Sequence, residues 1–434
     1  MGGSTASRFY VTLHPMHRTR DRRALIAAIG LSSFGDELAI VALALRVEDL
    51  TGSAGMVALL FIVSALPHVL FAPVSGWLTD RRETVQTLRW CSLAQAVVAT
   101  ALAFAVGLPL VFVLAFVLGA LASVTGPSVF ALVPLLDEKG DTSKTNSTIE
   151  IAKYAGWIAG PLVAGLVAHQ SGTAAPLLID ALTFLVLAIG TLGMSIRRLP
   201  GPANAAAEDG ARAGFAYVVN DRLLLLMFVA MAGIVLFAAT DNVAEVFFAS
   251  DTLNQPAIGY GVLASTWMAG MVIGAVLARR ADTDRAPIWI FVGAIVGGGA
   301  LILGAASGAL IPAALLFVVA GAGNGVENVA ARTLVHGRVP SALHGRVFAA
   351  YMGLVSSTQI IATALGGALV VGVGGRQALV IGGLGSLAVG ALGLMALALV
   401  QAGGAEPPVV LVEDAGEEPR PQIEPADEPR EAPA

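Results

Sequence analysis

The chain has 434 residues, of which 56% are hydrophobic and 13% charged, so it carries more apolar surface than one water-soluble core could hide. Net charge is −5 with no basic domain, which excludes nucleic acid as a partner. The single cysteine, Cys91, excludes an internal disulfide and a Cys-based zinc site.

Segment 1–23 is polar and basic, and the apolar run after it is too long and too charged at its middle for a signal peptide. It reads as a cytoplasmic N-terminal tail. A bilayer core of about 30 Å needs roughly 20 apolar residues. Runs of that kind follow at Ala24 to Leu45, Gly55 to Leu78, Leu88 to Val106, Leu110 to Leu135, Ile149 to His169 and Ala175 to Ile196. A polar loop, 197–222, then precedes Leu223 to Phe248, Ile258 to Ala278, Pro287 to Ala306, Leu310 to Ala331, Val347 to Val371 and Gln377 to Val400. Segment 401–434 is rich in Pro and Glu and reads as a disordered acidic tail. The predicted fold is an all-α membrane protein of twelve transmembrane helices.

Lysine and arginine mark the cytoplasmic side of a membrane protein. Arg81, Arg82, Arg89, Lys139, Lys144, Arg197, Arg198, Arg212, Arg222, Arg279, Arg280, Arg285, Arg332, Arg338 and Arg346 fall on one side, and only Arg46 and Arg376 on the other. Both termini are therefore expected in the cytoplasm, with the chain in the plasma (inner) membrane. The loop 197–222 divides a bundle at 24–196 from one at 223–400. Weak internal similarity supports two pseudo-symmetric six-helix bundles: ALVP from Ala131 matches TLVH from Thr333, and IAGPLVAGLV from Ile158 aligns with IIATALGGAL from Ile360 at the same offset. Repeats of this kind build transporters whose site lies between the bundles.

The stretch GWLTDRRE, Gly76 to Glu83, sits where the second apolar run stops. On one reading its arginines snorkel to lipid phosphates. The spacing of Gly76, Leu78, Asp80 and Arg81 resembles the signature loop of the major facilitator superfamily. The resemblance implies a cytoplasmic gate in which Gly76 permits close helix approach, Asp80 caps the span-eleven helix near Gly345 and Arg346, and Arg81 pairs nearby. The sequence departs from that pattern at Glu83 and Thr84, and Ala278 stands where the second half should have an acid. GDELAIVALALRVEDLTGSAG from Gly35 and VPSALHGRVFAAY from Val339 look like the drug and siderophore exporter branch, close to transmembrane secretion effectors and macrolide efflux proteins. Gly156, Gly160, Pro161 and Gly165, in GWIAGPLVAG, are similar to the Gly-Pro motif of proton-coupled exporters. Plain helix packing through small residues is the alternative.

Acids at bilayer depth are expensive and usually functional. Asp36 lies about 13 residues past Arg23, roughly 20 Å along a helix and near the midplane, so it is the first candidate for proton coupling. A structural hydrogen bond is its other reading. Glu37 points about 100° away, so the pair cannot face one cavity centre equally. Asp241 and Glu245 share a helix face at i and i+4 and read as cavity acids or as solvated mouth residues. Asn324, Glu327 and Asn328 share a face that could hold a polar substrate, unless Glu327 neutralises Arg332. Asp180 reads as structural, His68 as satisfying a carbonyl near Pro67, and Glu150 with Lys153 as a local ion pair.

No GxxxxGK[ST] loop and no His or Cys cluster occurs, so neither an enzyme, a cofactor nor a metal is expected. The expectation is a monomeric secondary active exporter of amphiphilic small molecules, coupled to protons across the lipid bilayer. An importer or uniporter on the same fold, or a non-transporting sensor or scaffold, are the rivals.

Overall fold

The computed structural model describes residues 15–71, 75, 78, 82–132, 142–194, 215–278, 283–340 and 343–402, and every regular element among them is helical. The first six long helices are α1 (Pro15–Thr51), α2 (Ala54–Leu70), α3 (Thr84–Ala103), α4 (Leu108–Leu132), α5 (Thr142–Ser171) and α6 (Ala174–Leu192). The second six are α7 (Arg222–Thr252), α8 (Pro256–Leu277), α9 (Ala286–Ala306), α10 (Leu310–Arg338), α11 (His344–Val373) and α12 (Gly375–Ala402). Ten of them are long and apolar enough to cross a bilayer. The other two are α2, apolar over 17 described residues, and α3, whose Gln86, Arg89 and Gln95 lower its hydropathy. The chain is thus an all-α membrane protein.

Helices and apolar runs differ at their ends. α1 begins at Pro15 instead of Ala24, α5 at Thr142 instead of Ile149, and α10 runs on to Arg338 instead of Ala331. Hydropathy marks where lipid ends, whereas backbone hydrogen bonding continues into water as long as the next residue can adopt helical geometry. α7 is the irregular span: a helix Arg222–Ala238, a second helix Asp241–Phe247 and a π-helical turn Phe248–Thr252. At the break, Thr240 Oγ1 donates to the Phe237 carbonyl at 2.6 Å, and Gly366 of α11 and Gly382 of α12 close on Thr240.

The packing repeats with a shift of six helices. α1 packs on α5 and α6, α3 on α4 and α6, and α2 on α4; likewise α7 packs on α11 and α12, α9 on α10 and α12, and α8 on α10. The bundles meet along two seams, α5 with α8 and α2 with α11, which the same shift interchanges. Each seam is made of small residues: Gly165 lies on the Ala257 carbonyl and Gly261 on that of Pro161, while Gly367 lies on Ala58 and the Ala54 carbonyl. All of these sit in the half of the molecule away from the end rich in arginine, called the basic end below.

Both arginines at the far end are helix caps. Arg46 donates to the carbonyls of Leu102 and Ala103 at the end of α3 and to Thr173 Oγ1. Arg376 donates to the carbonyls of Ala305 (2.9 Å) and Ala306 (2.8 Å) at the end of α9. Each satisfies orphan carbonyls and opposes the negative pole of its helix, which accounts for a cation on the sparsely charged side. At the basic end, Asp221 Oδ1 accepts from the amides of Leu223 (2.9 Å) and Leu224 (3.1 Å), capping α7. Its Oδ2 accepts from Arg338 Nε at 2.7 Å. Large apolar side chains such as Val97, Val113, Leu185, Leu315 and Leu392 face outward, as lipid requires.

Candidate functional site

A cavity of about 510 Å³ opens between the bundles, lined from α1, α2, α7, α8, α10 and α11. Three carboxylates reach it: Glu37 from α1, and Asp241 and Glu245 from the α7 section that follows the break at Thr240. One helical turn separates Asp241 from Glu245, so both project from one face. They are 7% and 8% exposed and line the cavity wall. Glu245 Oε1 has no hydrogen-bond partner. Phe61, Tyr260 and Trp267 supply aromatic wall, and Trp267 stands edge-on to Phe317 with centroids 6.2 Å apart. Asn242, Asn324, Gln359 and Thr363 add neutral polar groups. Among the described lining residues no lysine or arginine occurs, and His68 is the one basic side chain.

Asp36 faces elsewhere. It lines a second cavity of about 400 Å³ inside the first bundle, together with Ser32, Ser33, Gln95, Thr125 and Trp157. The 100° rotation between neighbours on a helix sends Asp36 into this chamber and Glu37 into the central one. Asp36 is exposed at the wall of this chamber. His68 lines both cavities and hydrogen-bonds the backbone of Ser64 and Ala65.

Asn324, Glu327 and Asn328 of α10 hydrogen-bond to one another, and of the three only Asn324 lines the central cavity. Asn324 lines the central cavity, but Glu327 is 3% exposed, lies against Gly293 of α9 and takes a long 3.5 Å hydrogen bond from Asn324 Nδ2. Asn328 turns back on its own helix, donating to the Asn324 carbonyl at 2.9 Å. The i, i+3, i+4 spacing is satisfied, but the helix is turned so that Asn324 meets the cavity and Glu327 meets α9, where Gly293 leaves room for a carboxylate. Glu327 also makes no ion pair with Arg332 among the described residues.

The glycine motif of α5 serves two neighbours. Gly156 lies against the backbone of Gly30 and Phe34, and Gly160 against the Phe34 carbonyl and Glu37 Cβ, all on α1; Pro161 and Gly165 form the α8 seam. Asp180 is fully buried on α6 and Thr183 Oγ1 donates to its carbonyl at 2.8 Å. Glu150 and Lys153 form the local pair at 3.2 Å. Gly76, Asp80 and Arg81 lie outside the described residues, as does the side chain of Arg346. α11 begins at His344, and its N-cap residue, Leu343, offers no side-chain acceptor.

Sequence reasoning passed over Tyr260, Trp267, Gln359 and Thr363 because uncharged residues scattered through apolar runs carry no local signal. It also passed over Asp221 and Arg338, although Asp221 directly precedes an apolar run and so had the placement of an N-cap.

The Major Facilitator Superfamily profile matches residues 25–363. No curated protein matches the chain. Among solved structures it is similar to a POT family transporter in complex with a thioalcohol-conjugated peptide (TM-score 0.71, 10% identity, 88% of this chain and 96% of that one). It is similar also to a bacterial homologue of the human lysosomal transporter Spinster, inward-facing and unoccupied (TM-score 0.67, 15% identity, 88% and 96% covered). A third similar structure is a bacterial homologue of the iron transporter ferroportin in the inward-facing state (TM-score 0.66, 16% identity, 87% and 98% covered). At these identities the likeness is one of fold.

Proposed function

Since this chain belongs to the major facilitator superfamily, we propose that it is a secondary active exporter that moves amphiphilic cations outward in exchange for protons by alternating access. The observation that carries this reading is the central cavity, where three carboxylates and three aromatic rings meet with no lysine or arginine in the described lining. Carboxylates stabilise a positive charge, and aromatic faces stabilise it further while accepting apolar bulk. Glu37, Asp241, Glu245 and Asn324 bind cargo, and Asp36 exchanges the coupling proton. A proton crossing 100 mV yields about 2.3 kcal/mol, and each pH unit adds about 1.4 kcal/mol, enough for a steep cargo gradient.

We take the basic end and both termini to be cytoplasmic, as the positive-inside rule suggests, and the membrane to be the plasma membrane. The two glycine seams then close the outer side, so this is the inward-open arrangement. In the opposite state Gly76, Asp80, Arg81 and Arg346 form the cytoplasmic gate, with Asp80 capping α11, whose own N-cap provides no acceptor. Such a cap is worth about 0.3 to 2 kcal/mol, enough to bias two states without freezing either.

Proteoliposomes under an imposed pH gradient, with ethidium and tetraphenylphosphonium as probes, test the reading. Probe should move against the proton flow, and Glu37→Gln or Asp241→Asn should lower the rate at least tenfold. Movement in the same direction as protons would make the protein an importer, and movement indifferent to the gradient a uniporter.

A further inference from the structure

The three carboxylates of the central cavity are not equivalent. Asp241 opens the second section of α7, and its side chain accepts hydrogen bonds from the backbone amides of Asn242 and of Asp241 itself. Amides at a helix start compensate a carboxylate. Glu37 and Glu245, by contrast, accept no hydrogen bond from any described residue. One belongs to each bundle, on helices α1 and α7 that the six-helix shift interchanges.

These two acids also stand apart. The charged neighbour of Glu37 is Asp36 and that of Glu245 is Asp241, whereas Tyr260 of α8 is within electrostatic reach of Glu37, Asp241 and Glu245 alike. Tyr260 therefore lies between two anionic poles. Its ring, with those of Phe61 and Trp267, gives the wall an aromatic surface.

The lining neutralises neither pole. It carries no lysine or arginine among its described residues, and its His68, Asn242, Asn324 and Thr363 bond elsewhere. His68 bonds the backbone of Ser64 and Ala65, and Asn242 Nδ2 donates to the Ala239 carbonyl at 3.3 Å. Asn324 Nδ2 donates to Glu327, and Thr363 Oγ1 to the Gln359 carbonyl at 2.9 Å. A carboxylate left without counter-charge in a bundle core is unfavourable, and a ligand with one positive charge relieves one pole only.

We propose that the cavity is built for dications: two cationic nitrogens joined by an apolar or aromatic spacer, one paired with Glu37 and the other with Glu245, with the spacer against Tyr260. The proposal rests on the transport reading only in calling this ligand cargo. A ligand held at both ends ties α1 to α7 and so binds differently as the bundles move, whereas a monocation seated at one pole does not.

Ethidium and propidium share one phenanthridinium ring, and propidium adds a second positive charge on a quaternary ammonium arm. Binding of each dye to purified protein in phosphatidylcholine nanodiscs is followed by fluorescence anisotropy at alkaline pH and low ionic strength. Propidium is expected to bind at least tenfold tighter than ethidium. Glu37→Gln and Glu245→Gln should each bring that ratio to within threefold of one, whereas Asp284→Asn, at an exposed position of the basic end, keeps it tenfold or more. Thermal unfolding shows which variants are folded. Should both acid variants misfold, decamethonium against decyltrimethylammonium repeats the charge comparison on the unaltered protein, and the first should displace propidium at least tenfold better. Equal affinities within either pair, or a preference that survives both acid substitutions, overturn the two-pole site. Equal affinities in a protein that exports ethidium from liposomes would leave the transport reading standing, while a propidium preference in a protein that moves neither dye would remove that reading and keep the site.

Discussion

The two bundles have the same helix neighbours but different interiors. In the second, α8 and α10 meet backbone to backbone: Gly270 lies on the Val318 carbonyl, Gly274 on Ala322, Gly321 on Trp267 and Gly325 on Met271, two reciprocal GxxxG faces. Gly323 adds contact with Gly293 and Gly297 of α9, and Gly298 meets Gly383 of α12. In the first bundle the equivalent α2 and α4 meet through Gly119 on the Ser64 carbonyl and through Ser75 and Ser123, whose hydroxyls are 3.2 Å apart. Gly126, further along α4, faces open space in the Asp36 chamber. Lipid offers no hydrophobic drive between helices, so closeness must come from small residues. Where they are missing, a polar chamber survives, and one architecture yields a tightly packed half and a half with a cavity.

The comparison breaks most visibly at the glycines. Gly274→Leu or Gly325→Leu should destabilise the protein by about 3 kcal/mol through overpacking, read as lost monodisperse yield and a lower unfolding temperature. Next in size is Arg338→Ala, which leaves Asp221 buried at the basic end without that partner and should cost about 2 kcal/mol in the same assay. Arg46→Gln should cost about 1 kcal/mol and Arg376→Gln about half that, because Arg46 satisfies three acceptors and Arg376 two. Equal losses would show that the caps act only through charge. Smallest is Gly126→Ala, whose methyl meets nothing within 4 Å and should change stability by less than about 0.5 kcal/mol. A large loss there would mean that the chamber is closed in the resting protein.

Much of this was legible in the chain. Span number and order follow from run length, and helix geometry alone separates Asp36 from Glu37, since adjacent residues cannot share a face. Two things escaped. Glu327 was placed on a substrate face with Asn324 and Asn328 because spacing fixes which residues share a face but not where that face turns; Gly293, on a different helix, decided that. The break in α7 escaped because the span was read by length and mean hydropathy, although Thr240, Asp241 and Asn242 stand together where the helix is interrupted.

Composition and charge placement by themselves determined that the chain lives in lipid, how its helices follow one another and which depth its acids occupy, because those properties depend on transfer from water one residue at a time. Only the tertiary structure decided that neighbouring acids serve separate chambers, that the halves meet along two glycine seams, and that arginines at the far end cap helices. Those outcomes depend on which surfaces of distant helices approach within van der Waals contact, and that distance is a property of pairs no single segment encodes.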